Sequence, residues 1–231
     1  IPLMPAVAFL MIVFLLRRAP QVSAMFSIAC IATSFVLSLG VVGGLLSNPA
    51  TTELSIRWFS MPGLSLEMGI LIDPLAGMML FVVTLIALLV QIYSIGYMHD
   101  DQGYSSYFAY QSLFAMSMLG LVISNNFLQM CVFWELVGLC SYLLIGFWFY
   151  KNSAREAAKK AFITNRVGDF GFLLGILFLF LMFGTLNFTT LAELVPTYAN
   201  IGLLTLVALL VFVGPIANSG QFPLHVWLPD A

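Results

Sequence analysis

Long apolar runs, separated by short polar or charged gaps, make up most of the chain. A bilayer core about 30 Å thick needs roughly 20 residues of apolar helix to cross it. The apolar lengths and the charged gaps together predict seven membrane-spanning helices, at residues 2–16, 22–46, 74–97, 107–124, 127–150, 161–183 and 200–216. A proline-rich tail follows the seventh helix, with helix breaks expected at Gly214, Pro215, Pro223 and Pro229.

Two of the gaps predict structure of their own. Residues 51–73 alternate apolar and polar positions around Pro62-Gly63, which is typical of a short, exposed β-hairpin. Between the sixth and seventh spans, Thr189 or Thr190 is expected to cap a brief amphipathic helix. The predicted fold class is therefore an all-α polytopic membrane protein with about seven transmembrane helices, a broken-helix tail and a β-hairpin between the second and third spans.

The composition excludes two broad classes of protein. Of the 231 residues, 61% are hydrophobic and 8% are charged, and the mean hydropathy is +1.05, whereas a soluble domain has roughly 25% charged residues. The sequence is therefore not that of a soluble globular domain. A net charge of −2 without a basic patch also excludes nucleic acid as a partner, because phosphate binding requires clustered Lys and Arg.

The sequence contains no pattern for a redox cofactor. The three cysteines lie in apolar runs, no Cys or His cluster has metal-ligand spacing, and no glycine-rich loop of the dinucleotide-binding type follows a strand. We therefore expect no metal, nicotinamide, flavin or iron–sulfur cluster in this chain, and no redox active site.

Three ionisable residues lie inside predicted spans, where each costs about 2.5–3.5 kcal/mol and is a functional candidate by default. Glu135 follows Asn126 by nine residues, which places it roughly 13 Å below the membrane surface at 1.5 Å per residue. Its neighbours, Phe133 and Trp134 among them, are apolar, and this setting makes Glu135 the best candidate for a proton carrier. The alternative is a permanently protonated glutamate that only forms a hydrogen bond across a helix pair.

Arg166 and Asp169 are three residues apart in the sixth span, so they share one helical face and can pair. They lie at a depth similar to that of Glu135, and the three residues are expected to form one polar path. The alternative is a static salt bridge that fixes helix packing. In the same span, the spacing of Gly171 and Gly175 is typical of a surface for close helix packing.

The tail after the seventh span contains further polar candidates. Asn218 and His225 lie among residues that interrupt the helix, and interrupted helices that line a cavity mark transport sites. Histidine exchanges protons near neutral pH, so His225 is a candidate proton relay. A histidine that is simply bonded to a neighbouring helix is the alternative.

Four stretches of the sequence are long and specific enough to compare with known families. They are FWELVGLCSYLLIGFWF at 133–149, KAFITNRVGDFGFLLG at 160–175, QFPLHVWLPDA at 221–231 and HDDQGYSSYFAY at 99–110. They resemble the large antiporter-like subunit of respiratory complex I, of the subunit 5 type, which is similar to the large subunit of multisubunit sodium/proton antiporters. The resemblance implies paired inverted five-helix repeats whose buried charged residues pass protons, while redox chemistry occurs in distant subunits.

The resemblance also implies roles for individual residues. Glu135 matches the key glutamate of the family, Arg166 and Asp169 match the charged pair of its NRVGD-like segment, and the tail matches its broken helix. One departure is Asn218, which stands where the family has a lysine, and an asparagine forms hydrogen bonds but supplies no positive charge. The expected site for proton translocation comprises Glu135, Asp169, Arg166, His225 and Asn218.

The same resemblance predicts the domain organisation. Residues 1–73 are expected to hold the N-terminal spans and the exposed hairpin. Residues 74–231 are expected to form an antiporter-like proton-translocation module, with the first inverted repeat and the start of the next. Family members continue beyond the WLPDA stretch, so we expect this chain to be the N-terminal part of a longer subunit.

The main functional hypothesis is a proton-translocating membrane subunit of a complex I-type NADH (or ferredoxin):quinone oxidoreductase. NADH, FMN, iron–sulfur clusters and quinone are then expected in partner subunits, and the chain itself contacts other membrane-arm subunits and the lipid bilayer. The expected location is a bacterial plasma membrane, a mitochondrial inner membrane or a thylakoid membrane. Two alternatives stay open: a subunit of a multisubunit cation/proton antiporter, and a non-conducting membrane scaffold.

Overall fold

The computed structural model of this chain describes residues 1–61 and 64–231. Its helices are α1 (Leu3–Met11, continued by a π-helical turn at Ile12–Leu16), α2 (Pro20–Ser47), α3 (Pro74–Tyr97), α4 (Tyr104–Val122), α5 (Phe127–Ile145), α6 (Asn152–Phe183), α7 (Phe188–Leu194) and α8 (Ile201–Asn218). The strands are β1 (Thr52–Met61) and β2 (Leu64–Ile72), and short 3-10 turns lie at Val195–Thr197 and Leu228–Asp230.

The helices are those of a membrane protein. Among the described residues, five helices are long and apolar enough to cross a membrane by length and composition, namely α2, α3, α5, α6 and α8. The apolar segment Leu3–Leu16 is shorter, and α4 carries Tyr, Ser and Gln side chains among its apolar ones. Each of the seven predicted spans contains a helix, which confirms a mostly helical, multi-pass membrane protein. Helix α5 ends at Ile145, five residues before the predicted end of its span at 150, and α4 ends at Val122, before 124.

Side-chain caps explain where several helices begin. Asp73 Oδ1 and Asn126 Oδ1 each accept a hydrogen bond from the backbone N–H three residues later, at 2.6 and 2.8 Å, which satisfies a donor that the first turn leaves free. Asn187 caps α7 in the same way, with the Thr190 N–H at 3.1 Å. The prediction that Thr189 or Thr190 caps this helix is therefore wrong. Both threonines lie inside α7, and asparagine is the stronger cap.

The helix α6 begins well before the apolar run that predicts it. Its first residue is Asn152, nine positions before the predicted start of the span at 161. The segment 152–160 combines alanines, which are strong helix formers, with an ion pair between Lys159 Nζ and Glu156 Oε1 at 2.9 Å. The charged first turns thus extend a helix whose apolar part crosses the membrane.

The last long helix continues through the point where a break is predicted. The structure has α8 helical through Gly214 and Pro215 as far as Asn218, so the irregular tail begins only after Asn218. An internal proline removes one backbone hydrogen bond, and here the rest of the helix tolerates that loss. A side chain at Gly214 would lie 2.9 Å from Phe172 Cβ, so α6 and α8 are in close contact at this level.

The predicted hairpin is present as a two-stranded sheet of β1 and β2. Its expected bend at Pro62-Gly63 lies outside the described residues. The far end of β2 is bonded to the first turn of α5, because the Gly69 N–H donates to Gln129 Oε1 at 2.8 Å and the Gly69 carbonyl accepts from Gln129 Nε2 at 2.9 Å. The exposed side chains of Ile56 and Trp58 agree with a hairpin that is largely exposed on this chain.

The chain divides into two compact units. The first comprises residues 1–53 and 71–123, and the second comprises residues 54–70 and 124–231. The domain boundary predicted after residue 73 stays a prediction.

The first unit is a bundle of α1 to α4 whose buried contacts include neutral hydrogen bonds. Ser27 Oγ lies 2.9 Å from Gln91 Oε1 and 2.7 Å from Ser112 Oγ, and Ser38 Oγ lies 2.9 Å from Thr84 Oγ1. Such bonds join helices inside a membrane, where buried polar groups must find partners. The helices of this unit contain no Asp, Glu, Lys or Arg in the described part of the chain.

In the second unit, α6 packs against both α5 and α8. Glycines on α6 permit the close approach of α8. A Cβ at Gly171 would lie 3.0 Å from Val213 Cβ, and a Cβ at Gly175 would lie 2.7 Å from the backbone nitrogen of Val211. The predicted packing role of Gly171 and Gly175 is therefore confirmed.

Replacing Gly168 by alanine is expected to lower the free energy of unfolding by about 1 kcal/mol or more, as overpacking does in other cores. The new methyl group would collide with Ala217 Cβ and lie 3.1 Å from the carbonyl oxygen of Val213, so α8 would have to move. The thermal denaturation midpoint of the intact assembly measures the effect. Gly43→Ala in α2 is the matched control, because no described atom lies within 4 Å of a Cβ there, and an equal fall in both variants would contradict the prediction.

Candidate functional site

Glu135 and Arg166 meet where α5 and α6 pack together. Glu135 lies eight residues after Phe127, the first residue of α5, or about 12 Å along the helix. Arg166 lies in the interior of α6. The guanidinium Nη1 of Arg166 donates a hydrogen bond to Glu135 Oε2 and forms an ion pair with it. The pair joins the two helices inside their membrane-spanning parts.

Asp169 contributes a second carboxyl to the same site. Its Oδ2 lies 3.5 Å from Arg166 Nη2, one turn away on α6. Its Oδ1 accepts a hydrogen bond at 2.9 Å from the indole Nε1 of Trp134, which precedes Glu135 on α5. We call Trp134, Glu135, Arg166 and Asp169 the charged cluster.

The surroundings of Arg166 leave room for its guanidinium group between the two carboxyls. The Arg166 Cζ atom lies 4.8 Å from the centroid of the Phe162 ring, close enough for a cation–π interaction. A Cβ at Gly138, one turn after Glu135, would lie 3.3 Å from Arg166 Nη2. Because arginine has five donors in a planar fork, one side chain can face both acids.

The members of the charged cluster are buried to different degrees. The side chain of Asp169 is 5% exposed, whereas those of Glu135 and Arg166 are 39% and 35% exposed. Charged side chains in spans face a bundle interior or a water-filled cavity rather than lipid. The exposed edge of the Glu135–Arg166 pair is therefore suited to water or to another protein surface.

The arrangement favours proton transfer over metal binding. The two carboxyls can each accept and release a proton, whereas the guanidinium keeps its charge. Among the described residues, no group of three or more His, Cys, Asp or Glu side chains is placed to hold a metal ion.

The structure does not bring the two predicted tail residues into the charged cluster. Asn218, the last residue of α8, is half-buried, and His225 is exposed, with its ring centroid 5.8 Å from that of Phe222. No hydrogen bond or ion pair among the described residues joins either of them to the cluster. Their place in the proton path stays a prediction.

Two side chains fix the position of the tail. The indole Nε1 of Trp227 donates to the carbonyl oxygen of Ala217 at 2.9 Å, and this bond satisfies an acceptor in the last turn of α8. Asp230 Oδ2 forms an ion pair with Lys160 Nζ on α6 at 2.6 Å. The segment after the helix break is thus attached to both α8 and α6.

The hydrophobic pattern alone does not reveal the role of Trp134. It counts the residue as an apolar neighbour of Glu135, yet the indole N–H of a buried tryptophan usually has a hydrogen-bond acceptor. Asp169, at a similar depth in the next span, is the acceptor here. No feature of the sequence predicts that Phe162 and Gly138 contact Arg166.

Two known families match the chain. Residues 58–108 match the family described as NADH-Ubiquinone oxidoreductase (complex I), chain 5 N-terminus. Residues 124–231 match the family described as NADH:quinone oxidoreductase/Mrp antiporter, TM. The second match includes every member of the charged cluster.

Individual relatives agree with these families. The chain is 50% identical over 220 residues to NAD(P)H-quinone oxidoreductase chain 5 of Synechocystis sp., which covers 93% of this chain and 32% of that protein. It is 52% identical over 214 residues to the chloroplastic NAD(P)H-quinone oxidoreductase subunit 5 of Zygnema circumcarinatum, with coverages of 90% and 30%. The chain therefore spans about a third of the length of these relatives.

Two solved membrane complexes contain chains of similar structure. A chain of the Mrp complex from Dietzia sp. has a TM-score of 0.81 at 27% identity, covering 99% of this chain and 24% of that one. A chain of the archaeal membrane-bound sulfane sulfur reductase has a TM-score of 0.84 at 18% identity, and the match covers 98% of this chain and 45% of that one. At this identity the similarity shows a shared fold alone. With both family matches and the relatives in agreement, the chain belongs to the antiporter-like membrane subunits of the complex I type, the family of subunit 5 of NAD(P)H-quinone oxidoreductase.

Proposed function

We propose that this chain is a proton-translocating, antiporter-like membrane subunit of a complex I-type NAD(P)H-quinone oxidoreductase. The observation that supports the proposal is the charged cluster, which lies inside two membrane-spanning helices. Ionisable groups at that depth are costly and are usually kept for transport. A scaffold could use a static salt bridge, but a second carboxyl beside the ion pair favours proton transfer.

In the proposed mechanism, the two carboxyls share one cation. Arg166 supplies the positive charge, and in the arrangement described its close partner is Glu135, which the mechanism takes as the ionised carboxyl. A proton that moves from one carboxyl to the other breaks one O–H bond and forms another. The total charge of the cluster does not change, so no uncompensated charge is left inside the membrane.

Asn218 and His225 extend the proposed site towards the water at the end of α8. His225 is exposed, and histidine exchanges protons with water near neutral pH. Asn218 offers a hydrogen bond but no charge. In this proposal they form the relay between water and the charged cluster.

The proposal places the redox chemistry in other subunits. NADH or ferredoxin oxidation, with FMN, iron–sulfur clusters and quinone, belongs to those partners, and this chain contributes proton transfer in the membrane arm. The names of its relatives, which are subunits or chains of NAD(P)H-quinone oxidoreductase, support such an assembly.

A second candidate function is supported by two similarities. A chain of the Mrp complex is 27% identical to this chain, and the match covers 99% of this chain but 24% of that one. The matched family also includes Mrp antiporters. In that case the same charged cluster would exchange protons for another cation without redox partners.

The proposal is tested with the intact assembly in sealed vesicles. Proton uptake is followed with a pH-sensitive dye while electron transfer to quinone is measured separately. In the triple variant Glu135→Gln, Arg166→Gln, Asp169→Asn, proton uptake per electron is expected to be lost. Since all three charges are removed together, none is left unpaired and the assembly is expected to survive.

A matched triple variant removes charges outside the membrane part of the same helix. Arg155→Gln, Glu156→Gln, Lys159→Gln alters an exposed group of ion pairs and is expected to leave proton uptake per electron unchanged. Unchanged uptake in the Glu135 triple variant, with full assembly, would favour the non-conducting scaffold instead. Proton uptake that requires sodium or potassium but no electron transfer would favour the antiporter.

A further inference from the structure

Two buried oxygen atoms on α6 have no hydrogen-bond donor among the described residues. They are Oδ1 of Asn165 and Oδ2 of Asp169, and the buried Nε of Arg166 likewise has no acceptor. Both side chains are deeply buried, with 3% of Asn165 and 5% of Asp169 exposed. Buried polar atoms nearly always have a partner, so these two require an explanation.

The two atoms belong to neighbouring side chains. Asn165 and Asp169 are four residues apart on one helix, which places them on the same face with Cβ atoms about 5–6 Å apart. Asp169 faces α5, because its Oδ1 accepts a hydrogen bond from Trp134 of that helix. Both side chains are buried, so the two oxygens lie away from bulk water.

The charges of the cluster do not balance if both carboxyls are ionised. Two negative charges would then face the single positive charge of Arg166. In the described part of the chain, α5 adds no cation, α8 contains no titratable residue, and in the tail His225 is exposed while Asp230 pairs with Lys160. A net charge in this setting is strongly disfavoured.

A single proton bound to one of the two carboxyls accounts for both the unpartnered oxygens and the unbalanced charge. Glu135 already forms the close ion pair with Arg166, whereas Asp169 is the more deeply buried acid and its Oδ2 forms no hydrogen bond with the guanidinium. We propose that Asp169 carries a proton on Oδ2 and donates it to Oδ1 of Asn165. One O–H group then satisfies both unpartnered oxygens, and the charged cluster becomes neutral overall.

The proposal gives Asn165 a part in proton translocation as a positioning residue. It deepens the proposed function and rests on it for its mechanistic meaning. The proton that moves to Glu135 starts from Asp169, where Asn165 orients it and Trp134 holds the other carboxylate oxygen. Among the described residues, Arg166 is the cation that faces the two carboxyls, and Asn218 at the end of α8 adds no charge, which favours a stored proton.

Infrared spectroscopy of the intact assembly tests the inference directly. The difference between the parent and Asp169→Asn is expected to contain the C=O band of a protonated carboxyl, shifted in heavy water. In Asn165→Leu the band is expected to move to the higher frequency of a carboxyl without an acceptor, or to disappear. Asn165→Thr, which restores an acceptor oxygen, is expected to bring the band back towards its parent position.

Thr164→Val is the matched control and is expected to leave the band unchanged, because the Thr164 hydroxyl donates to the Lys160 carbonyl of its own helix. Absence of the band in the parent would overturn the inference, since the Asn165 amide would then face the other way and donate to an ionised Asp169. A band that Asn165→Leu does not alter would overturn it as well. A parent with the band but with proton uptake indifferent to the cluster would refute the proposed function alone.

Discussion

Glu135→Gln is expected to lower proton uptake per electron on the order of tenfold or more, the scale of losing a positioned proton-transfer group. Glutamine has nearly the shape of glutamate but cannot bind and release a proton. Arg166 would then have only Asp169, 3.5 Å away, as an acidic partner. Asp169 would then release its proton and pair with Arg166, so proton transfer through the cluster would fall.

The measurement uses sealed vesicles with the intact assembly, and it records internal acidification and quinone reduction in parallel. Glu193→Gln is the matched control, because Glu193 is an exposed residue of α7 outside the charged cluster. The same chemical change there is expected to have no effect. Normal uptake per electron in a fully assembled Glu135→Gln variant would remove Glu135 from the proton path.

Arg166→Leu is expected to lower the free energy of unfolding by about 3 kcal/mol, the lower end of the cost of removing one partner of a buried ion pair. The lower end applies because the Arg166 side chain is 35% exposed. The loss leaves Glu135 without its cation and removes the contact with the Phe162 ring. The thermal denaturation midpoint and the yield of intact assembly report the effect.

A double variant distinguishes the loss of charge pairing from the loss of packing at Arg166. Adding Glu135→Gln to Arg166→Leu removes the uncompensated carboxylate, so part of the lost stability is expected to return. Arg155→Leu, at an exposed position on the same helix, is the control and is expected to change the midpoint little. Equal losses in the single and double variants would show that Arg166 acts through packing rather than through charge.

The sequence predicts the helices well because a membrane span is defined by length and hydropathy. Helix α3 has the bounds predicted for it, Pro74–Tyr97. Helix α6 begins earlier than predicted, because hydropathy alone predicts a loop for its charged first turns. Alanines and the Lys159–Glu156 ion pair stabilise these turns as helix. The Asn187 cap was not predicted, because Asn187 and Thr189 lie two residues apart and only the backbone geometry selects one.

The charged residues of the candidate site were predictable, because charged residues are rare in so apolar a sequence. Glu135, Arg166 and Asp169 are visible for that reason, and helix spacing already pairs the last two. The partners that hold them are neutral. Trp134 looks like an ordinary residue of a span until the structure shows its hydrogen bond to the buried Asp169.

The neutral hydrogen bonds of the first unit have an electrical consequence. Moving one elementary charge across a membrane potential of 100 mV involves about 2.3 kcal/mol. The bonds of Ser27 with Gln91 and Ser112 join groups without net charge, so the field does almost no work on them. Among the described helices, α5 and α6 of the second unit carry the charged cluster inside their membrane-spanning parts. An energised membrane thus acts mainly on that cluster, whereas the helices of the first bundle offer it no charged side chain to move.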